Sequence, residues 1–425
     1  MQMNATTPTD STEASKASQS DGFAIRVGQS AKRIATSVIP ISGGASALLF
    51  GVTMFLAIFG VVMVFAASSV EARQGGGSFI SAFMRQGLFT VLGIPMLLLA
   101  ARMPERFYRR FAIWGVLLGM GLQLLVFTPL GEEIQGNRNW LNLGFATLQP
   151  SEFLKLALCL WIGYVLFMKS DRIRQFLHAW WPVGLVAGVA IVLVMLGRDF
   201  GTVVIMVGLV FGAMMFAGVR LRHLIAPFAV LAVLAIPVVL SSGSRVRRLQ
   251  HFFDGCTEAE YFDGCWQQLH GTWAMSGGGL FGVGLGNSRA KWNWLPEADS
   301  DYIFAIVAEE LGMIGATAVL LLYVVMAFAF IRIIREAQST FTKSVAGAVM
   351  TWIVGQALVN IAVVLGLLPV LGVPLPLVSA GGSQTLATLI AVGVVLALVR
   401  ADRQRQQDGE KPEDVILSVQ AKGRA

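Results

Sequence analysis

Ten stretches of about 16 to 25 residues with few charges follow one another through most of this 425-residue chain. They cover 46–69, 80–101, 111–130, 151–168, 182–197, 200–218, 222–241, 309–333, 345–368 and 381–399. A helix needs about 20 apolar residues to cross a bilayer, so the pattern predicts an all-α polytopic membrane protein with ten transmembrane helices. Charged residues make up 13% of the sequence, against roughly 25% in soluble domains. No large soluble domain fits in what remains. The first run is too long for the core of a signal peptide and no convincing cleavage site follows it, so it is expected to stay as an anchor.

The formal charge of +7 would suit a nucleic-acid binder, but the basic residues sit in short clusters beside apolar runs, where they act as topology signals. Only Arg198 and Asp199 separate the fifth and sixth runs. With a turn there, Arg102, Arg106, Arg109, Arg110, Lys169, Arg172, Arg174, Arg220, Arg222, Arg332, Arg335 and Lys343 share one side with both tails. The short loops opposite hold Arg73, Arg138 and Arg198. Both termini are therefore expected in the cytoplasm. Residues 1–43, poor in apolar side chains, read as a disordered tail, 44–400 as the membrane domain and 401–425 as a second cytoplasmic tail. Residues 242–300 form a large extracytoplasmic loop between helices seven and eight. Cys256 and Cys265 in that loop suit a disulfide in an oxidising compartment, contributing about 2–3 kcal/mol to local order, with two free thiols as the alternative. Cys159 lies in an apolar run and reads as a buried thiol.

Features that a membrane helix avoids gather on the outer face: Arg85-Gln86, residues 136–155, the turn at 197–202, residues 277–304 and residues 367–383. Charges at membrane depth normally face a bundle interior or a wet cavity. Glu152 and Lys155 stand three apart at a helix start, within salt-bridge reach, either as a structural ion pair or as part of a site. Arg198-Asp199 is either a plain polar turn or a contact for a ligand. Gln356 and Asn360, at i and i+4, suit hydrogen bonds between helices. The glycines of 277–286 lack the GxxxxGK[ST] pattern and a preceding strand, so they are expected to shape a re-entrant turn. The prolines and glycines of 369–382 preclude regular helix, and irregular backbone at that depth survives only against protein or water.

Asp301 marks the point where the wet loop becomes apolar, with Glu297 and Asp299 before it. A helix over 301–309 would set Glu309 within about 80° of Asp301 and turn Glu310 away. Asp299 reads as a solvated loop charge or as an acid placed by the dipole of a helix N-terminus. Burial and neighbouring carboxylates raise an acid's pKa, which a general base working near neutrality requires. Cations on the same face are Arg138, Lys155, Arg198, Arg245, Arg247, Arg248, Arg289 and Lys291. One carboxylate base beside cations suits glycosyl transfer from a diphosphate donor, whose leaving group is a stable anion that needs positive charge more than a protonating acid.

At these segments the chain resembles the SEDS family (shape, elongation, division and sporulation) of polytopic bacterial membrane proteins, over about residues 46 to 400. The motifs that carry the resemblance are WLNLG with QPSEFLK at 140–155, RDFGT at 198–202, GLGNS at 284–288, LPEADSDYIF at 295–304, AEELG at 308–312 and PLPLVSAGGS at 374–383. VMVFAASSVEA at 62–72 leans towards the division branch. The resemblance implies a peptidoglycan glycosyltransferase that polymerises lipid II, with Asp301 as general base, undecaprenyl diphosphate as leaving group and inversion at the anomeric carbon. It makes Arg138, Glu152, Lys155, Arg198, Asp199, Gln267, Asn287, Lys291, Glu297, Ser379, Gly381, Gly382 and Ser383 candidates for substrate binding, with Arg138, Lys155 and Lys291 at the diphosphate. It allows a divalent cation, Mg or Mn, with ligands unspecified, and implies no organic cofactor. A class B penicillin-binding protein and other division membrane proteins are the implied partners, and the division septum the implied place.

Three departures from the family pattern stand out. Asp299 replaces a common histidine, Asn139 a frequent arginine, and Ala380 and Gln384 a commoner Tyr and Ser. The competing readings are a lipid II flippase, an elongation-type polymerase, and a scaffold that recruits partners through its tails.

Overall fold

The computed structural model describes residues 43–68, 79–134, 136–144, 147–255, 261, 265–292 and 294–409, with the side chains of 79–85 left aside. Of the expected tails at 1–43 and 401–425, residues 1–42 and 410–425 lie outside the described residues, as does Cys256.

A helix occupies each of the ten apolar runs. These are α1 (Gly44–Ala67), α2 (Phe79–Arg102), α3 (Glu105–Leu125) and α4 (Pro150–Met168). After the short α5 (Phe176–Trp180) come α6 (Val183–Leu196), α7 (Phe200–Ala217) and α8 (Arg222–Leu240). Two further helices lie in the long loop, α9 (Gly243–Asp254) and α10 (Trp266–Gly278). The chain then forms α11 (Ile303–Glu336), α12 (Thr340–Val364, with a π-helical turn at Thr351–Gly355) and α13 (Gly382–Asp408).

Seven of these helices are long and apolar enough to cross a membrane, or eight if the bent pair α2–α3 is taken as one span. That pair meets at 116° around Met103-Pro104, because proline excludes the helical conformation from the residue before it. The 14-residue α6 is shorter than a full crossing.

Two differences from expectation concern the ends of elements. The last helix does not stop at Arg400 but runs on to Asp408, with Asp402 buried. Its end is tied down by Arg405, which bonds to Glu105 and Asp402, and by Arg403, which bonds to Glu336 at 3.0 Å. The other difference is a three-stranded antiparallel sheet after α3: β1 (Gly131–Ile134), β2 (Asn137–Asn142) and β3 (Thr147–Leu148), in the order β1-β2-β3. Asn139 and Leu141 alternate inward along β2, the period of two that a strand imposes.

The core is built around α4, α12 and α13, whose spanning windows are 72%, 67% and 83% buried. Trp352, Phe330, Tyr323, Phe167 and Phe341 fill it. Small residues allow close backbone approach, the main source of helix association where lipid removes the hydrophobic drive. A Cβ on Gly393 of α13 would stand 2.3 Å from the Leu97 carbonyl oxygen of α2. By contrast, the window of α8 is only 6% buried.

Inside α11, Gly312 has φ 71° and breaks the helix into two parts. The glycine turn before it lies against that break: Val283 and Gly284 donate their amides to the carbonyls of Glu309 and Glu310, at 3.0 Å each. This is the reversal expected at 277–286. It fixes the start of α11, and with it the segment that carries Asp301.

Candidate active site

Asp301 stands just before α11 on the wall of a cavity of about 310 Å³. The cavity is also lined by Asn139, Glu152, Lys155, Asp199, Arg248, Gln267, Glu297, Gln356 and Gly381. Six regions distant in sequence therefore meet there: β2, the starts of α4 and α7, the α9–α10 region, α12 and the segment 370–381. Burial raises the Asp301 carboxyl to about 7; Glu297 pushes in the same direction, Arg248 opposes, and Asp199 and Asp299 add smaller upward contributions. An acid so placed is half ionised near neutrality, the condition for a base that must both accept and release a proton.

The backbone around Asp301 is held on both sides. Asn360 of α12 donates to its carbonyl oxygen at 2.7 Å and to that of Val373 at 2.8 Å. Ser379 Oγ donates to the Ser300 carbonyl at 2.5 Å and accepts from the Leu375 amide at 2.8 Å. The Ala380 amide donates to the Asp299 carbonyl at 2.8 Å. The irregular segment 369–382 is thus clamped against the segment 299–301. Glu297, with φ 55°, accepts a hydrogen bond from Ser300 Oγ and receives the Tyr302 amide on its carbonyl at 3.0 Å.

On the opposite wall, Lys155 Nζ lies 2.9 Å from Glu152, 3.3 Å from Gln356 Oε1 and 4.8 Å from the centre of the Trp352 ring. Gln356 in turn donates to the Pro374 carbonyl at 2.9 Å. Glu152 Oε2 is buried without a partner among the described residues, and so is Asn139 Oδ1. Both acceptors belong to residues that line the cavity. Asp199 caps α7 through the Thr202 amide at 3.0 Å and also accepts from Thr202 Oγ1, Asn139 and Gln149, at 2.8, 2.7 and 3.1 Å. It ties β2 and the start of α4 to α7.

Three residues expected at the substrate lie elsewhere. Arg138 donates to the carbonyls of Val126 and Thr128, both at 3.0 Å, and so caps the end of α3 instead of facing the cavity. Lys291 is buried against Glu310 at 3.3 Å and bonds to the carbonyls of Ala66 and Gly286, at 3.2 and 2.5 Å. Asn287 bonds within its own turn to the Val283 carbonyl at 3.2 Å. Each of these groups satisfies exposed carbonyls at a helix end or turn, a task that sequence cannot distinguish from ligand binding.

Ser379 acts through the backbone, as described. Gly381 donates its amide to Gln86 Oε1 at 3.2 Å, and Ser383 Oγ accepts from the Gln149 amide at 3.2 Å. Gly381, Gly382 and Ser383 share a smaller cavity of about 180 Å³ with Trp140 and Asp299. Arg198, in a left-handed conformation with φ 66°, lines a neighbouring cavity with Asp199. Gln267 donates to the Pro296 carbonyl at 3.2 Å from the cavity rim.

Two expectations about the acids are corrected. Asp299 is not a solvated loop charge: it accepts from Ser68 Oγ at 2.9 Å, and burial raises its pKa. Glu309 accepts the Arg289 amide at 2.9 Å and the hydroxyl of Ser288, so its carboxylate is engaged in holding the preceding loop.

Cys265 is disulfide-bonded, and its expected partner Cys256 lies outside the described residues. Cys159 is a buried free thiol. Among the described residues no group of three or more His, Cys, Asp or Glu side chains is placed to hold a metal ion.

The FtsW/RodA/SpoVE family of cell cycle proteins matches residues 46–404 of the chain. A probable peptidoglycan glycosyltransferase FtsW of Nitrosococcus halophilus is 36% identical over 352 residues, covering 82% of this chain and 90% of that protein. The stage V sporulation protein E of Bacillus subtilis is 34% identical, covering 84% and 97%. Among solved structures, one described as structural coordination of polymerization and crosslinking by a peptidoglycan synthase complex superposes with a TM-score of 0.70 at 24% identity, covering 84% of this chain and 98% of that one. The rod shape determining protein RodA of Thermus thermophilus gives 0.59 at 24% identity, covering 83% and 96%.

Proposed function

Because the chain belongs to the FtsW/RodA/SpoVE family of cell cycle proteins, we propose that this multi-pass membrane protein is a peptidoglycan glycosyltransferase that polymerises lipid II during cell division. The observation that carries the proposal is Asp301: a carboxyl raised to about 7 by burial, on the wall of a cavity that also holds Lys155 and Arg248. Relatives named peptidoglycan glycosyltransferase over most of the chain support the reaction class.

In the transfer, Asp301 takes the proton of the acceptor sugar's 4-hydroxyl as that oxygen attacks C1 of the donor MurNAc. The new C1–O bond forms as the old one breaks, its electron pair leaves with undecaprenyl diphosphate, and the configuration at C1 inverts. The proton stays on Asp301 until solvent removes it. A diphosphate leaves without protonation, so a single base suffices. Two flanking carboxyl groups are needed only where an alkoxide must leave. Positive charge near the departing anion lowers the barrier by meeting charge as it develops.

Ten crossings with both termini cytoplasmic, a class B penicillin-binding protein as working partner and a place at the division septum complete the proposal. The ten helices in the ten apolar runs and the basic residues gathered on the face opposite Asp301 support that topology. The test is glycan-chain formation from lipid II by the full chain with its penicillin-binding partner. Asp301→Asn should abolish polymer while leaving fold and partner association intact. Near-normal polymer from that variant would reject the assignment.

A further inference from the structure

Arg198, Arg245 and Arg248 line a second cavity, of about 720 Å³, beside the one that holds Asp301. The two cavities share Asn137, Asp199, Arg248 and the turn at 370–372. None of the three arginines forms an ion pair among the described residues. Arg245 spends two donors on the carbonyls of Val238 and Arg198, at 3.1 and 3.3 Å, and lies 5.4 Å from the Phe200 ring centre. Arg248 has one long bond, 3.4 Å, to the Val370 carbonyl. Burial and the charges of Arg248 and Arg198 all disfavour the charged form of Arg245.

Gathering three like charges costs free energy unless an anion joins them. The one carboxylate in the lining, Asp199, is already engaged by four donors. Three guanidiniums against that carboxylate leave two net positive charges, which offset most of the negative charge of a lipid diphosphate. Arginine offers the planar paired donors that phosphate oxygens take up best. The rest of the lining combines Asn137 and the hydroxyls of Ser241, Ser242 and Ser244 with apolar side chains, among them Met195, Leu196, Phe200, Val238 and Leu249. Beside it runs α8, which exposes Ile225, Phe228, Val233 and Ile236 along its length, so a hydrocarbon chain attached to the bound diphosphate has an apolar path into the bilayer.

We propose that this cavity binds the diphosphate of an isoprenoid diphosphate lipid, with Arg245 and Arg248 as its principal ligands and Arg198 as the third. The assignment rests on the polymerase reading, in which that lipid is the leaving group. Arg248, which lines both cavities, stands between the departing diphosphate and the base. It replaces Arg138 and Lys291, whose donors are used elsewhere.

The test measures binding of undecaprenyl diphosphate to the full chain in nanodiscs, with inorganic pyrophosphate as the competing probe, together with KM and kcat for lipid II in the presence of the partner. Arg248→Gln and Arg198→Gln, both exposed and so harmless to folding, should each weaken lipid binding about tenfold, the value of one lost charge-assisted hydrogen bond. Arg245→Gln should do the same, with Arg245→Lys restoring part of the affinity. Arg247→Gln, on the same helix but outside the cavity, should bind as the unaltered chain does, and Asp301→Asn should still bind. Wild-type affinity in Arg248→Gln and Arg245→Gln would overturn the proposal, as would an equal loss in Arg247→Gln. Pyrophosphate that binds as tightly as the lipid would overturn the lipid assignment. If the unaltered chain makes no polymer yet binds the lipid through these arginines, the polymerase reading fails and the site stands.

Discussion

Asn360 donates to the carbonyl oxygen of Asp301 at 2.7 Å, and the same amide reaches Val373 at 2.8 Å. One side chain from α12 therefore sets the distance between the base and the irregular segment that forms the other edge of the cavity. Asn360→Leu removes both bonds and leaves two carbonyls short of a donor, at a cost of about 1–3 kcal/mol each. Polymerisation should fall at least about tenfold through kcat, while the pH midpoint of the rate, set by the carboxyl itself, stays in place. Measurement of the full pH profile separates this positioning role from general damage, which would broaden or abolish the profile.

The pH dependence follows from the groups that act on Asp301. With its carboxyl raised to about 7, kcat/KM should rise with pH through a midpoint near neutrality. Glu297 pushes that value up and Arg248 pulls it down. Glu297→Gln should therefore move the midpoint to lower pH, and Arg248→Gln should move it higher. Initial rates of glycan synthesis between pH 5 and 9 check both directions. A midpoint that does not move in either variant would contradict the electrostatic account of the base.

Much of this site can be read in the linear sequence, and the limit lies in how polar groups are used. Asp301, Glu152, Lys155 and Asp199 were accessible because charges next to apolar runs need a wet or buried partner. The same rule flagged Arg138 and Lys291, which proved to cap helix ends and turns. Spacing along the chain does not distinguish a cation that meets a ligand from one that meets a carbonyl. In sequence Asn139 stands out only as a missing arginine, yet it bonds Asp199 and lines the cavity. Arg248 gave no local signal beyond its charge, since its position depends on α9 forming inside what reads as a loop. The sheet at 131–148 was likewise hidden, because its strands are short and their alternation weak.

Stability should depend on pH through Asp301 in the sense opposite to a salt-bridged acid. Its folded pKa, about 7, lies above the ordinary 3.8, so between those values the folded state holds a proton that the unfolded state has lost. The favourable contribution is complete below pH 3.8 and is lost as pH rises through 7. Asp301→Asn cannot ionise, and at pH 8 it should be more stable than the unaltered chain by at most about 4 kcal/mol, with the difference vanishing towards pH 4. Thermal unfolding in detergent at the two pH values measures this. A variant less stable at pH 8 would show that the carboxylate is held by stronger partners than Arg248.

Glu152 and Lys155, 2.9 Å apart and both buried, offer a test of whether the cavity wall is structural or reactive. Removing one partner strands the other charge in a low-dielectric setting, which costs about 3–5 kcal/mol, whereas replacing both with neutral groups of similar shape is far less damaging. Glu152→Gln and Lys155→Met should each destabilise the protein strongly, and the double variant should recover most of the loss. Polymerisation discriminates further. If the pair serves only to join α4 to Gln356 and Trp352 of α12, the stable double variant should keep most of its activity. If Lys155 also meets the substrate's charge, the double variant should fold and yet lose lipid II turnover, with the loss in kcat/KM exceeding anything its melting temperature explains.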